Sequence, residues 1–153
     1  YTQQFLQNVA WGELDYLILD LPPGTGDIQL TIVQTISLTG AVIVTTPQEV
    51  ALIDARKAIS MFDKVNVSIM GLVENMAWFE CEHGTRYPIF GEGGGAAEAK
   101  KLKLPLLGQI PINIPTREQG DAGSPVALID PAENDASAAF AALATSVDQI
   151  AQG

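Results

Sequence analysis

The stretch AVIVTTPQEVALIDARKAISMFD, residues 41–63, decides the fold class. Its first six residues, Ala41–Thr46, are apolar or β-branched with no polar alternation, the composition of a strand covered on both faces. Thr46-Pro47-Gln48-Glu49 then offers a hydroxyl for a helix N-cap, a proline for the first helical position and a glutamate three residues on. In the helix that follows, Leu52, Ala55, Ile59 and Phe62 recur at helical spacing, while Asp54, Arg56, Lys57 and Asp63 fall largely outside that stripe. A doubly covered strand that leads straight into an amphipathic helix is half of a βαβ unit.

The same grammar repeats on both sides. Asp15–Asp20 (DYLILD), Val67–Val73 (VSIMGLV) and Leu106–Ile110 (LLGQI) read as further strands. Helices are expected over residues 3–11, from Asp27 to about Ile36, and near Ala96–Lys103. A last helix, opened by Asp130-Pro131-Ala132-Glu133, would bury Phe140, Leu143, Val147 and Ile150. Strands that alternate with helices through short links give an α/β fold, a mostly parallel sheet flanked by helices with right-handed crossovers. We expect one domain over residues 1–153. Residues 75–95 (NMAWFECEHGTRYPIFGEGGG) break the rhythm with aromatics, the only Cys, the only His and a glycine run, and read as a loop insertion.

The composition narrows the function classes. At 47% hydrophobic and 17% charged, 153 residues suffice for a real core and argue against disorder. The net charge of −10, from 18 acids and 8 bases, repels phosphate backbones and anionic lipid, so no nucleic acid and no membrane is expected as a partner. No apolar run reaches the roughly 18 residues of a membrane helix. A single cysteine excludes an internal disulfide and fits a cytoplasmic setting. The chain begins at Tyr1 without a basic or apolar leader, and is expected to be part of a longer one.

In open α/β sheets, ligands bind beyond the carboxyl ends of the strands. After the first run comes Asp20-Leu21-Pro22-Pro23-Gly24-Thr25-Gly26-Asp27. A strand-end acid and a glycine turn opening a helix suit a magnesium–phosphate site, though an acid before a Pro/Gly turn is also common without one. Thr45–Glu49 reads most simply as a helix cap. Asn75 has both a donor and an acceptor and can read an adenine edge, or merely form a turn. Ile110–Pro115 (IPINIP) can wall a base, or serve as loop punctuation.

The whole string says more than its parts. DYLILDLPPGTGD, VTTPQEVALIDARKAI, GLVENM, IFGEGG and LLGQIPINIPTREQGDAGSPV, in this order, resemble the Mrp-type (ApbC/Mrp) P-loop ATPases across essentially the whole chain. That family carries iron–sulfur clusters and belongs with the MinD and ParA ATPases. The resemblance implies a partial P-loop NTPase of the MinD/ParA-like fold that uses ATP and magnesium. It implies that Asp20 holds a magnesium-bound water and that the Gly24 backbone senses the γ-phosphate. It further implies that Asn75 reads adenine, that Pro111 and its neighbours pack on the base, and that Arg117 lies in the same nucleotide-side segment. Iron–sulfur apoproteins are the implied clients.

Two departures from the family pattern stand out. The phosphate-binding loop of such ATPases ends in Gly-Lys-Ser/Thr, and these 153 residues contain no Gly-Lys pair. Gly93-Gly94-Gly95 is followed by Ala96 and Ala97 and cannot substitute. These residues alone should bind ATP poorly and hydrolyse it negligibly. The strands Asp15–Asp20 and Ala41–Thr46 should also lack a neighbour, and such edges favour self-association. Second, the family often carries Cys-x-x-Cys after the ENM segment, where this chain reads Cys81-Glu82-His83-Gly84. A dimer would offer two thiolates to an iron–sulfur cluster, with two imidazoles at best. His83 is more simply a loop residue, and Cys81 stays open. The rival readings are a MinD/ParA-type positioning ATPase and a decayed inactive chain. Against the first, residues 132–153 contain no Lys or Arg for a basic membrane helix, and the acidic surface does not suit DNA.

Overall fold

A computed structural model describes residues 8–22 and 26–153. The elements follow as α1 (Asp27–Thr35), β1 (Ala41–Thr45), α2 (Glu49–Lys64), β2 (Ile69–Glu80), β3 (Arg86–Tyr87), α3 (Gly94–Leu102), β4 (Leu106–Ile112), α4 (Ile114–Asp121), a 3-10 turn (Val126–Leu128) and α5 (Asp135–Gln152).

β2 is the centre of the sheet. β1 and β4 flank it, both parallel to it, so that Val73 lies between Val44 and Gly108. At its far end β2 pairs antiparallel with the short β3, Phe79 facing Tyr87 on one side and Ile112 on the other. α2 and α3 cover one face. There Ala41, Ile43 and Leu72 meet Ala55, Ile59 and Phe62 of α2 and Ala99 of α3. α5 covers the other face, where Val73, Leu107 and Ile110 meet Phe140, Leu143 and Val147. Leu72 and Val73 point to opposite faces and are both buried, which is why the strands read as continuous apolar runs. Each such side chain contributes about 1.5–3 kcal/mol by leaving water.

The fold class is as the sequence implies, but six local expectations need correction. Asp15–Asp20 forms no strand. Among the described residues it joins no ladder, Leu17 is exposed, and Ile18 is 86% exposed. The composition suits a doubly covered strand, but among the described residues β1 has a ladder partner only on its β2 side. It is tethered instead by Leu21, packed on the α2–α3 core, and by the Tyr16 hydroxyl, which donates to Asp148 of α5. Residues 8–11 of the expected first helix are not helical, and residues 3–7 lie outside the described residues. The expected loop insertion begins as strand, because β2 continues through Glu80 once Phe79 finds Ile112 and Tyr87.

The caps also differ. α2 starts at Glu49 with Gln48 as its N-cap, and the Thr46 hydroxyl donates to Gln48 Oε1 at 2.7 Å rather than capping the helix. Asp130 only closes a turn, its Oδ1 accepting from Ala132 N–H at 2.9 Å. The cap of α5 is Asn134, whose Oδ1 accepts from the N–H groups of Ala136 and Ser137 at 2.9 and 3.1 Å. Ile150, near the end of α5, is exposed, since the helix runs past the edge of the sheet's apolar face. Among the described residues, no helix is long and apolar enough to cross a membrane.

Candidate functional site

The parallel register brings Glu74, midway along β2, and Gln109, midway along β4, to the level of Thr45 at the carboxyl end of β1. Glu74 has no exposed surface. Its Oε1 accepts from Gln109 Nε2 at 2.7 Å and its Oε2 accepts from Gly95 N–H, at the start of α3. A carboxylate at a helix N-terminus is favoured by the unpaired amides and by the helix dipole. Its neighbours are shaped to allow the approach. A Cβ on Gly95 would lie 2.8 Å from Glu74 Oε2, and one on Gly94 would lie 2.1 Å from the Pro47 carbonyl oxygen. The glycine run therefore lets α3 close onto the sheet rim and onto the Thr46–Pro47 turn. Sequence reasoning passed over Glu74. The signal available was a charged residue inside an otherwise apolar strand.

One residue further on, Asn75 lies opposite Ile110, the residue before Pro111. Pro111 is therefore diagonal to Asn75 on the neighbouring strand, Asn75 half-buried and Pro111 buried. Asn75 Oδ1 accepts from Met76 N–H at 2.9 Å, and Met76 adopts a left-handed backbone with φ 55°. The ladder to β4 is irregular between Asn75 and Phe79. A non-glycine residue in that region is strained, and such strain concentrates at functional sites.

The other candidates are more scattered. Asp20 is exposed at the end of the unpaired segment. Two residues later the Pro22 carbonyl accepts from Gln29 Nε2 at 2.7 Å, which ties the segment to α1. Gly24 lies outside the described residues. Among the described residues, α1 opens at Gly26 with no side-chain cap hydrogen bond. Arg117 is exposed on α4 and pairs with Asp121 and Glu118, both at 3.2 Å.

Cys81 begins the turn between β2 and β3. Its N–H donates to the Thr85 carbonyl at 3.0 Å and its carbonyl accepts from Gly84 N–H at 2.9 Å. Within this turn the backbone N–H groups of His83, then Thr85, face the sulfur and hold the thiol below its ordinary range. Arg86 braces the hairpin, pairing with Glu80 at 2.7 Å and stacking 4.5 Å from the Trp78 ring centroid. A groove of about 580 Å³ separates the hairpin, with Trp78, Cys81 and His83, from the β4–α4 junction, with Pro111, Asn113 and Pro115. Among the described residues, no group of three or more His, Cys, Asp and Glu is placed to hold a metal ion. One copy thus presents one thiol, with one imidazole lining the same groove.

Comparison with known proteins gives concordant matches. The family model described as ParA, NUBPL iron-transfer P-loop NTPase, matches residues 1–148. An iron–sulfur cluster carrier protein of Deinococcus radiodurans is 54% identical over 151 residues, covering 97% of this chain and 42% of that protein. The Escherichia coli (strain K12) iron–sulfur cluster carrier protein is 52% identical, covering 94% of this chain and 39% of that protein. The chain therefore spans about two-fifths of the length of these curated relatives. Among solved structures, the Archaeoglobus fulgidus nucleotide-binding protein in complex with ADP is 47% identical with a TM-score of 0.72, over 80% of this chain and 51% of that one. The septum site-determining protein MinD of Pyrococcus horikoshii, complexed with Mg-ADP, shares the fold at 24% identity and a TM-score of 0.71, over 98% of this chain and 56% of that one.

Proposed function

Since the chain belongs to the ParA-type family of NUBPL iron-transfer P-loop NTPases, we propose that it forms the nucleotide-sensing and cargo-presenting part of an ATP-dependent iron–sulfur cluster carrier. The observation that carries this reading is the register at the strand ends. Asn75 lies opposite Ile110, the residue before Pro111, just past the apolar runs where open α/β sheets bind ligands, and Cys81 stands six residues further along the same strand direction.

In this reading Asn75 and Pro111 face the adenine. The engagement of Asn75 Oδ1 by Met76 N–H fixes the amide plane and turns its NH₂ toward the base. Asp20 holds a magnesium-bound water, and its exposed carboxylate is accessible for that role. Gly24 offers its backbone to the γ-phosphate, and the uncapped N-terminus of α1 favours the same negative charge. Magnesium, when bound, supplies charge neutralisation at the phosphates. Arg117, on the helix that follows Pro111, remains available at the nucleotide side once its surface pairs with Asp121 and Glu118 exchange. The Lys-bearing phosphate loop is not among these residues. The 153-residue polypeptide is therefore expected to show no micromolar ATP affinity in calorimetric titration, and tight binding would contradict this assignment.

The cargo is an iron–sulfur cluster delivered to apoproteins in the cytoplasm. A single thiol per copy requires a second copy, so that two Cys81 thiolates face one cluster. The low-lying thiol supports ligation, since the thiolate is the ligand form. Anaerobic reconstitution with iron and sulfide should give a brown product with visible absorbance, abolished by Cys81→Ser. A colourless wild-type product, or an equally coloured variant, would rule out Cys81 as the cluster ligand.

A further inference from the structure

A groove of about 600 Å³ runs between α1 and α2 and involves neither the nucleotide residues nor Cys81. Leu30, Ile53 and Met61 form its apolar lining, and its charged lining residues are Arg56, Lys57 and Lys64. Three of the eight bases of a chain with net charge −10 therefore line one groove that, among the described residues, no Asp or Glu lines. Arg56 is committed, since its Nε and Nη2 grip the Glu98 carboxylate at 2.7 and 2.6 Å and its Nη1 meets Glu49 at 2.7 Å. Lys57 pairs only with the exposed Asp54 at 2.9 Å, a solvated contact that is easily exchanged. Lys64 makes no ion pair among the described residues.

The outer face of α2 continues this lining. Val50, Ile53, Lys57, Ser60 and Lys64 follow one another at helical spacing, with Val50 72% exposed and Ile53 also exposed. The stripe is apolar at its start and cationic at its end. We propose that this groove docks an acidic amphipathic segment of a partner protein, its apolar side chains against Leu30, Ile53 and Met61 and its carboxylates on Lys57 and Lys64. Charge complementarity selects this occupant, because an acidic segment is drawn to a local cationic lining. The lining follows α2, with Leu30 of α1 beside it, which suits a helical segment laid along α2. The inference stands independently of the nucleotide and cluster assignments.

The test uses a fluorescein-labelled amphipathic peptide with a leucine face and a glutamate face, and a control peptide with lysine in place of glutamate. Anisotropy titration should show the acidic peptide binding roughly tenfold or more tightly than the control, with affinity falling as salt rises. The double variant Lys57→Glu/Lys64→Glu, checked for an unchanged circular dichroism spectrum, should lose roughly tenfold in affinity. Ile53→Ser, which leaves the charges in place, should weaken both peptides. Equal binding of the two peptides, or wild-type affinity in the double variant, overturns the proposal. Binding to phosphatidylglycerol vesicles without binding to the acidic peptide overturns it in favour of a membrane surface.

Discussion

Glu74 carries its carboxylate into the rim of the sheet with no exposed surface, and this is tolerable only because a donor meets each oxygen. Glu74→Ala leaves Gly95 N–H and the Gln109 amide unpaired in a buried place and should cost about 1–3 kcal/mol in urea unfolding. An unchanged midpoint would mean that water replaces the carboxylate. Gly94→Ala forces a methyl group against the Pro47 carbonyl and should cost a similar amount, about 1–3 kcal/mol by the same measurement. Cys81 makes a chemical prediction. With His83 and Thr85 N–H groups aimed at its sulfur, its alkylation by iodoacetamide should reach half-maximal rate at a lower pH than free cysteine. A profile that matches free cysteine would show that these N–H groups do not act on the sulfur. Asn75 and Pro111 could be proposed from the sequence because each follows an apolar run. Glu74 was not, since its partner amide lies 21 residues away and only folding reveals the pairing.

At the scale of elements, α2 and α3 are joined by the two-pronged bond between Arg56 and Glu98. Arg56 holds the Glu98 carboxyl below its usual range against the opposing effect of burial. A depressed carboxyl contributes stability that is fully present above its unfolded-state value and is lost as pH falls through the folded-state value. Acidification below the ordinary glutamate range should therefore lower the urea midpoint of the wild type. Glu98→Gln should start lower at neutral pH and fall less over that interval, so that the two curves converge in acid. Parallel curves would show that the pair adds nothing. The elements themselves were largely readable. β1, the start of β2, β4 and the buried stripe of α2 follow from apolar runs and helical spacing. What failed depended on distant partners. DYLILD has a strand's composition but no ladder to join, and the end of β2 looks like loop until Phe79 meets Ile112 and Tyr87. Thr46 and Asp130 match capping patterns, yet Gln48 and Asn134 hold the cap positions, because the chain turns once more before each helix begins.

Taken whole, the molecule exposes several large apolar side chains. Tyr16, Leu17, Ile18 and Val44 are all exposed, and β1 has a free ladder edge among the described residues. Edges of this kind recruit other strands, so light scattering should find species larger than one copy, shifting toward monomer in Ile18→Lys/Val44→Lys. A monodisperse wild-type monomer would contradict this. The left-handed turn of Met76 has a consequence at this scale as well. It divides β2 into a segment clamped between β1 and β4 and a segment bearing the hairpin. Six residues of strand from Asn75 to Cys81 span at most about 20 Å, and on the proposed reading the Met76 backbone is the covalent link by which a change beside the nucleotide would reach the hairpin.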